Sequence, residues 1–445
     1  MKWKTFSIGG IHPQENKLSA NHPVRKADLP QQAVILLSQH IGAPARPLVT
    51  KGDLVKVGTR IAEPVGAVSA AIHSSVSGRV LKIDRVIDTS GYPKPAIFIE
   101  VEGDEWEPDI DRNETLVQDC PLSPEEILQK IANAGIVGMG GACFPSQVKL
   151  CPPPSMKAEC LIVNAVECEP YLTADHQLML EHADEILVGI TILMKAIRVN
   201  KAYIGVEANK PDAIHLLMKE AETYPGIKVV PLKVKYPQGG EKQLIEAITG
   251  RQVAAGALPV STGAVVQNVA TVFAVYQAVQ KNKPLFERVV TVTGKSLAQP
   301  GNLLTRIGTP VSQLITECGG LPEDTGKIIA GGPMMGRSLI NLDVPVGKGT
   351  SGILLMGGEE TSRGTVQPCI RCAKCVAVCP MGLEPYLLAT TSAHGDFERG
   401  EKEGILSCIE CGSCQFTCPS NRPILDYVRL GKAKVGAMIR ARQKK

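Results

Sequence analysis

Between residues 33 and 101 the apolar positions come in short pieces, 34–37, 54–57, 79–83 and 96–101, broken by Gly52, Gly58, Gly66 and Gly78. Short apolar runs punctuated by glycine turns predict strands. The pattern changes after an acidic, polar stretch at 104–123. A helix is predicted over 124–134, with Ser123 as N-cap and Glu126 completing a capping box. Onward to about residue 280, strand-like runs (161–163, 202–206, 227–230) alternate with helical ones (182–197, 211–224). Such alternation predicts an α/β layer architecture. Residues 285–345 read as a small α+β module around 289–293, 328–329 and the loop Gly331-Gly332-Pro333-Met334-Met335-Gly336. A glycine-rich connector is expected over 347–364, then a cysteine-rich helical segment. Residues 1–30 are polar and irregular, and are expected to wrap a neighbour. The expected boundaries are 1–32, 33–105, 124–282, 285–345, 362–430 and a basic tail, 431–445.

The 445 residues carry 48 Lys+Arg against 44 Asp+Glu, a net charge of +4. That is too balanced for a general nucleic-acid binder, and no basic patch with interleaved aromatics appears. The longest apolar stretch, 186–194, stops at Lys195, so no membrane-spanning helix is expected. Lys2 and Lys4 are followed by no apolar run, so no signal peptide is read. The tail from Lys432, with Lys434, Arg440, Arg442, Lys444 and Lys445, carries no acid. It reads as a solvated helical end, or as a contact for an acidic partner or an anionic membrane.

Eight of the 14 cysteines fall within residues 369–418. Two segments read C-x2-C-x2-C-x3-C-P: Cys369, Cys372, Cys375, Cys379, and then Cys408, Cys411, Cys414, Cys418. Paired C-x2-C also suits zinc, but zinc explains neither the third cysteine, the x3-C-P ending, nor the duplication. Two [4Fe–4S] clusters do. In two-cluster ferredoxins the fourth cysteine of each motif serves the other cluster. The expected ligand sets are therefore Cys369, Cys372, Cys375 with Cys418, and Cys408, Cys411, Cys414 with Cys379. The remaining six (Cys120, Cys143, Cys151, Cys160, Cys168, Cys318) show no ligand spacing and read as reduced thiols.

A glycine-rich loop, Gly135 to Pro145, holds Gly138, Gly140 and Gly141 and is followed by Lys149. It fails the dinucleotide fingerprint at Cys143 and follows a helix, not a strand. Its glycines still permit close backbone approach to a phosphate or a flat ring, or else a plain tight connection. The segment 164–170 follows a predicted strand, where α/β sheets bind ligands, and the loop 236–242 precedes a helix.

These loops resemble the flavin- and NADH-binding subunit of respiratory complex I. Its GxGGAGFP, N-A-D-E-x-E-P, Y-x-x-G-E-E and N-N-V-E-T segments match 138–145, 164–170, 236–241 and 267–271. Met139 stands for an arginine, Cys143 for a glycine, Val166 for an aspartate and Gly240 for a glutamate. Residues 49–58 and 71–78 resemble the barrel-sandwich hybrid of biotinyl and lipoyl domains, without an equivalent of the carrier lysine. That points to a docking module, with His73 as a packing histidine. Finally, Gly9-Gly10-Ile11-His12-Pro13 with Glu15-Asn16-Lys17, residues 37–44, and residues 73–78 resemble the RnfC family, the peripheral subunits of Rnf complexes, over essentially the whole chain.

The resemblance implies a multidomain α/β protein. It comprises an N-terminal β barrel-sandwich hybrid, an α/β FMN- and NADH-binding domain, a small β-grasp (SLBB-like) module and a C-terminal α-helical ferredoxin-like domain with two [4Fe–4S] clusters. The implied activity is the NADH-reacting part of a ferredoxin:NAD+ oxidoreductase that couples electron transfer to Na+ or H+ translocation. Implied partners are NADH, the membrane subunits and the ferredoxin-like RnfB subunit, at the cytoplasmic face of the inner membrane, with only indirect membrane contact. Gly138, Gly140 and Gly141 would admit the flavin, and Lys149 would pair with phosphate. Asn164 and Asn268 would hydrogen-bond the flavin, while Glu167 and Glu241 would position the dinucleotide; the alternative for each of these acids is a cap or a surface ion pair. No side chain is needed as general acid or base. A hydride carries two electrons and an iron–sulfur cluster takes one, so a flavin is the adapter between them. The rival readings are a soluble flavin/Fe–S corrinoid reductase and an electron-wire scaffold without enzymatic activity.

Overall fold

The computed structural model describes residues 3–443; Lys2, Lys444 and Lys445 lie outside them. The first module is two small β-sheets packed face to face. One is antiparallel, in the order Gln32–Leu36, Pro93–Gly103, Ser77–Ile87, Leu54–Val55; the other holds Arg46–Pro47, Arg60–Glu63 and Ile72–His73. Alternate side chains turn inward, so Ala33, Ile35, Ile61, Ile72, Val80, Ile97 and Ile99 form a closed core.

The helix Pro124–Asn133 begins with the expected box: Ser123 Oγ accepts from Glu126 N–H, and Glu126 reaches back to Ser123 N–H at 2.7 Å. A four-stranded parallel sheet follows, ordered Ile227–Leu232, Ala202–Glu207, Cys160–Asn164, Ala264–Asn268. The last of these strands is absent from the sequence-based expectation. Its helical neighbours Ala183–Ala196 and Val269–Gln280 cross so closely that a Cβ on Gly189 would stand 2.6 Å from the Val272 carbonyl oxygen. Register pairs Asn164 with Asn268 at the C-terminal end of the sheet.

The third module departs from expectation. Residues 352–357, read as part of a connector, form the strand Gly352–Gly357 at the centre of a mixed six-stranded sheet. It pairs parallel to Glu287–Thr293 and antiparallel to Thr325–Ala330. Ile353 and Leu354 are wholly buried, so the run has no polar alternation to mark it as a strand. The last module is helical. Its final helix, Ile424–Gln443, runs straight through the boundary expected at 431. Lys432 there is bound to Glu410 at 3.0 Å and Arg442 to Glu401 at 2.8 Å, so part of the expected basic tail is tied into the module.

The N-terminal segment stitches the modules together. Lys4 bridges to Leu232 and Ile11 to Tyr236, Gly10 N–H donates to Val378 O at 2.9 Å, and Arg25–Lys26 adds a parallel strand beside Leu303 and Leu304. Lys17 Nζ donates to the carbonyls of Glu167, Glu169 and Leu172 at 2.7–2.9 Å. Among the described residues no helix is long and apolar enough to cross a membrane.

Candidate functional site

The parallel sheet ends at Asn164 and Asn268, and the glycine loop lies in front of them. Thr271 fixes the loop to the helix Val269–Gln280: its Oγ1 accepts from Met139 N–H at 2.8 Å. Asn268 caps that helix, its Oδ1 accepting from Ala270 and Thr271 N–H, while its amide donates to Asp175 Oδ2 at 2.7 Å. Asn164 donates to the Gly239 carbonyl at 2.9 Å, tying the strand end to the 236–241 loop. Gly140 packs against Asn268, where a Cβ would sit 3.0 Å from the asparagine's own. Gly141 has φ +143°, and a Cβ there would meet no protein atom within 4 Å. The loop is therefore closed against the protein at Gly140 and open at Gly141. That is the cradle a flat ligand and its phosphate need, and so the residues fit an FMN.

Three expected roles look different in the structure. Lys149 Nζ lies 2.5 Å from Glu241 Oε1, so the two are each other's partner, and a phosphate on Lys149 would have to share it with Glu241. Glu167 is a cap: its carboxylate accepts from Asp175 N–H at 2.8 Å and His176 N–H at 3.1 Å at the start of the helix Ala174–Glu181. A contact from Glu167 to a ribose would cost that cap.

Other residues of the site carry no mark in the sequence. Asp175 is buried beside Glu167, and desolvation and that neighbour push its carboxyl up to about 7. Arg288 is buried under the glycine loop, beside Asp175 and Cys143. Neither lies in a recognisable segment. Glu169 and Tyr236 do stand in matched segments, at 164–170 and 236–241. Glu169 accepts from Met334 and Met335 N–H, at 3.1 and 2.8 Å. Burial nonetheless raises its carboxyl from 4.5 to about 7. Tyr236 hydroxyl donates to the Cys411 carbonyl at 2.8 Å and stands 3.2 Å from Glu169 Oε1. The hydroxyl hydrogen is shared between the two acceptors, and the Cys411 carbonyl is the nearer.

Folding thus favours the acid form of Glu169. Its contribution to stability is whole below about pH 4.5 and is lost as pH rises through about 7. Glu169→Gln should flatten the fall in thermal midpoint between pH 5 and 8, a difference on the order of 3 kcal/mol. An unchanged pH slope would count against it. Asn268→Ala should cost about 1 kcal/mol through loss of the cap, read as a lower midpoint without flavin. It should also lower flavin affinity, read separately by FMN fluorescence quenching.

Tyr236 leads directly to the cysteines. Cys379, Cys408, Cys411 and Cys414 line one pocket, otherwise walled by Leu388, Leu425, Val428 and other apolar groups. Burial raises the Cys414 thiol, and Cys411, Cys408 and Cys379 lie close enough to push it the same way. Burial pushes Cys408 up to about 11. Buried thiols resist ionisation alone, and a bound metal deprotonates them. Among the described residues no three His, Cys, Asp or Glu side chains are set to hold a single metal ion. Four sulfurs around one apolar cavity instead suit a group with several metal corners. Cys379 comes from the first motif, as the crossing requires. Of the other set, burial raises the Cys375 thiol and Cys369 lies close enough to add to it, while Cys369 and Cys372 are exposed. The cavity is held from outside as well. Gln243 donates to the Pro380 carbonyl at 3.1 Å, and Gly9, at φ +67°, packs so close that a Cβ would lie 2.5 Å from the Cys379 carbonyl.

Comparison with known proteins is consistent with this layout. Residues 4–104 match the family described as RnfC barrel sandwich hybrid domain, 131–277 the Nuo51 FMN-binding domain, 289–338 the SLBB domain and 362–419 the 4Fe-4S dicluster domain. The chain is 46% identical to the C subunit of the proton-translocating ferredoxin:NAD(+) oxidoreductase complex of Clostridium ljungdahlii, over 96% of this chain and 93% of that one. It is 43% identical to the C subunit of the Na(+)-translocating complex of Acetobacterium woodii, over 99% of each. It is also 43% identical to the C subunit of the ion-translocating oxidoreductase complex of Rhodobacter capsulatus, over 97% of this chain and 84% of that one.

Proposed function

The chain belongs to the RnfC family, the C subunits of ion-translocating ferredoxin:NAD+ oxidoreductase complexes, and from that premise we propose how its residues serve the reaction. It is an oxidoreductase subunit with an FMN-binding domain and a 4Fe-4S dicluster domain, and it works beside other subunits of its complex. We place it at the cytoplasmic face of the membrane, reacting with NADH and passing electrons toward a ferredoxin-like subunit and the membrane subunits.

Bound FMN supplies the exchange between a hydride's two electrons and single electrons. The chain does the rest by holding and shielding. Gly138, Gly140 and Gly141 let backbone N–H groups reach a phosphate and a ring. Asn164 and Asn268 stand at the adjoining strand ends to orient the ring. Lys149, sharing its charge with Glu241, faces the phosphate or dinucleotide. Glu167 acts through its cap on the helix that carries Asp175. Glu169 is bonded to Tyr236, which is directed at Cys411, and this buried group would exclude water between the flavin loop and the cluster loop. One cluster is assigned to Cys408, Cys411, Cys414 and Cys379, the other to Cys369, Cys372, Cys375 and Cys418.

The observation that carries this reading is the Tyr236 hydroxyl bonded to the Cys411 carbonyl, which joins the flavin loop to a cluster loop. The test is anaerobic. The cluster-loaded chain is given FMN and then NADH, with NADPH as control, while flavin absorbance and EPR are followed together. NADH bleaching followed by a reduced-cluster signal is expected. If neither FMN nor NADH leaves a trace, the nucleotide loops are degenerate and the chain is an electron wire.

A further inference from the structure

The two sets of cysteines differ in their surroundings. Cys379 and Cys411 are buried, whereas Cys369 and Cys372 are exposed. Near the exposed pair, Val366, Ile370 and Phe416 are 56%, 68% and 57% exposed. A single exposed apolar side chain needs no explanation, but here three stand within three residues of a cysteine of one ligand set. Ile370 lies between Cys369 and Cys372, and Phe416 precedes Cys418 by two residues. Segment 365–367 is bound to the loop after Cys418: Gln367 N–H donates to Ser420 O at 3.0 Å, and Asn421 donates to Thr365 O at 3.4 Å. The short helices Lys374–Ala377 and Ser413–Phe416 pack on one another. These contacts draw both stretches onto one face.

The charge on that face is one-sided. Arg371 and Lys374 are exposed and Arg422 is half-buried. Arg363 is matched by Asp426 at 2.8 Å, but among the described residues no carboxylate forms an ion pair with Arg371, Lys374 or Arg422. Unmatched cations around a small apolar centre favour an acidic partner, speed its encounter and let it leave again. A small patch of this kind suits a transient contact.

We infer that the face built by residues 363–374 and 416–422 is the docking surface for an acidic iron–sulfur carrier protein that exchanges single electrons at the Cys369–Cys372 edge. The inference deepens the proposed function and rests on it for the iron–sulfur centre behind those cysteines and for an iron–sulfur partner. One electron leaves the carrier's reduced centre and reduces the centre bound by Cys369, Cys372, Cys375 and Cys418; no bond and no proton changes hands.

The complex is purified at low salt through a tag on this chain and treated with a carbodiimide, which joins lysine to a carboxylate without a spacer. Lys374 should be found linked to an Asp or Glu of an iron–sulfur protein. Links from Lys374 only to a second copy of this chain, or none, overturn the inference. Protection of Lys374 only by anionic lipid vesicles overturns it in favour of a membrane contact. In parallel, a dithionite-reduced acidic two-cluster ferredoxin is mixed with the chain carrying Arg371→Glu and Lys374→Glu, its iron and sulfide content verified. The second-order rate of electron transfer should fall about tenfold at low salt, with the difference closing as salt screens it. Equal rates at low salt refute the docking face. Intact NADH bleaching of the unsubstituted chain with no Lys374 link sinks this surface alone; lost bleaching sinks the proposed function.

Discussion

Replacing Cys379 with serine should strip the cluster from the second motif and leave the first motif loaded. The residue sits in the first C-x2-C-x2-C-x3-C run, so a reading by sequence proximity predicts the reverse. The structure puts Cys379 in one pocket with Cys408, Cys411 and Cys414, close enough to Cys414 to influence its thiol. A thiolate is a far better ligand for such a centre than a serine hydroxyl. Roughly half the iron and acid-labile sulfide should disappear, and the EPR signal of one cluster with it. Cys418→Ser should remove the other half. The discriminating readout is proximity to the flavin. In the Cys379 variant the missing signal should be the one that couples magnetically to a reduced flavin, because Cys411 bonds to Tyr236 of the flavin loop. If the Cys379 variant keeps that signal and loses the other, the crossing is wrong.

Gly140→Val should abolish FMN binding while sparing the clusters. Gly140 lacks the positive φ that would make any side chain costly, so the backbone tolerates valine. Its Cβ, however, would lie 3.0 Å from Asn268 Cβ and 3.2 Å from the asparagine's amide nitrogen. Valine adds two methyls beyond that point, so Asn268 must leave. Its departure breaks the cap on Val269–Gln280 and the bond to Asp175 together. FMN affinity should fall by about 100-fold or more, equal to about 2.7 kcal/mol. Fluorescence quenching measures it, and the iron content serves as the control for folding. Retained affinity would move the flavin away from this loop.

Much of the architecture is legible in the chain because the elements follow local rules. The capping box at Ser123 and Glu126 is a rule about four consecutive residues, and it stands as read. The cysteine spacing is likewise local. What the chain conceals is set by distance in sequence. The strand Gly352–Gly357 is buried on both faces and so lacks the alternation that betrays a surface strand. Glu167 reads toward a ligand, but the start of a helix eight residues on claims its carboxylate. Lys149 and Glu241 find each other across 92 residues, and nothing near either one announces the pair. Asp175 and Arg288 carry no motif; they matter because the fold buries them beside the glycine loop.

The N-terminal strap has a consequence for how the chain is made. Its partners lie at Leu232, Tyr236, Leu303 and Val378. A ribosome delivers the first residues long before any of these. The strap must therefore wait, unpaired, through most of synthesis, and its pairings come last in an assembly dominated by distant contacts. Gly9 closes over Cys379 only once the cysteine-rich segment exists. The earliest-made residues can thus close over the cysteine-rich module only after that module has been made.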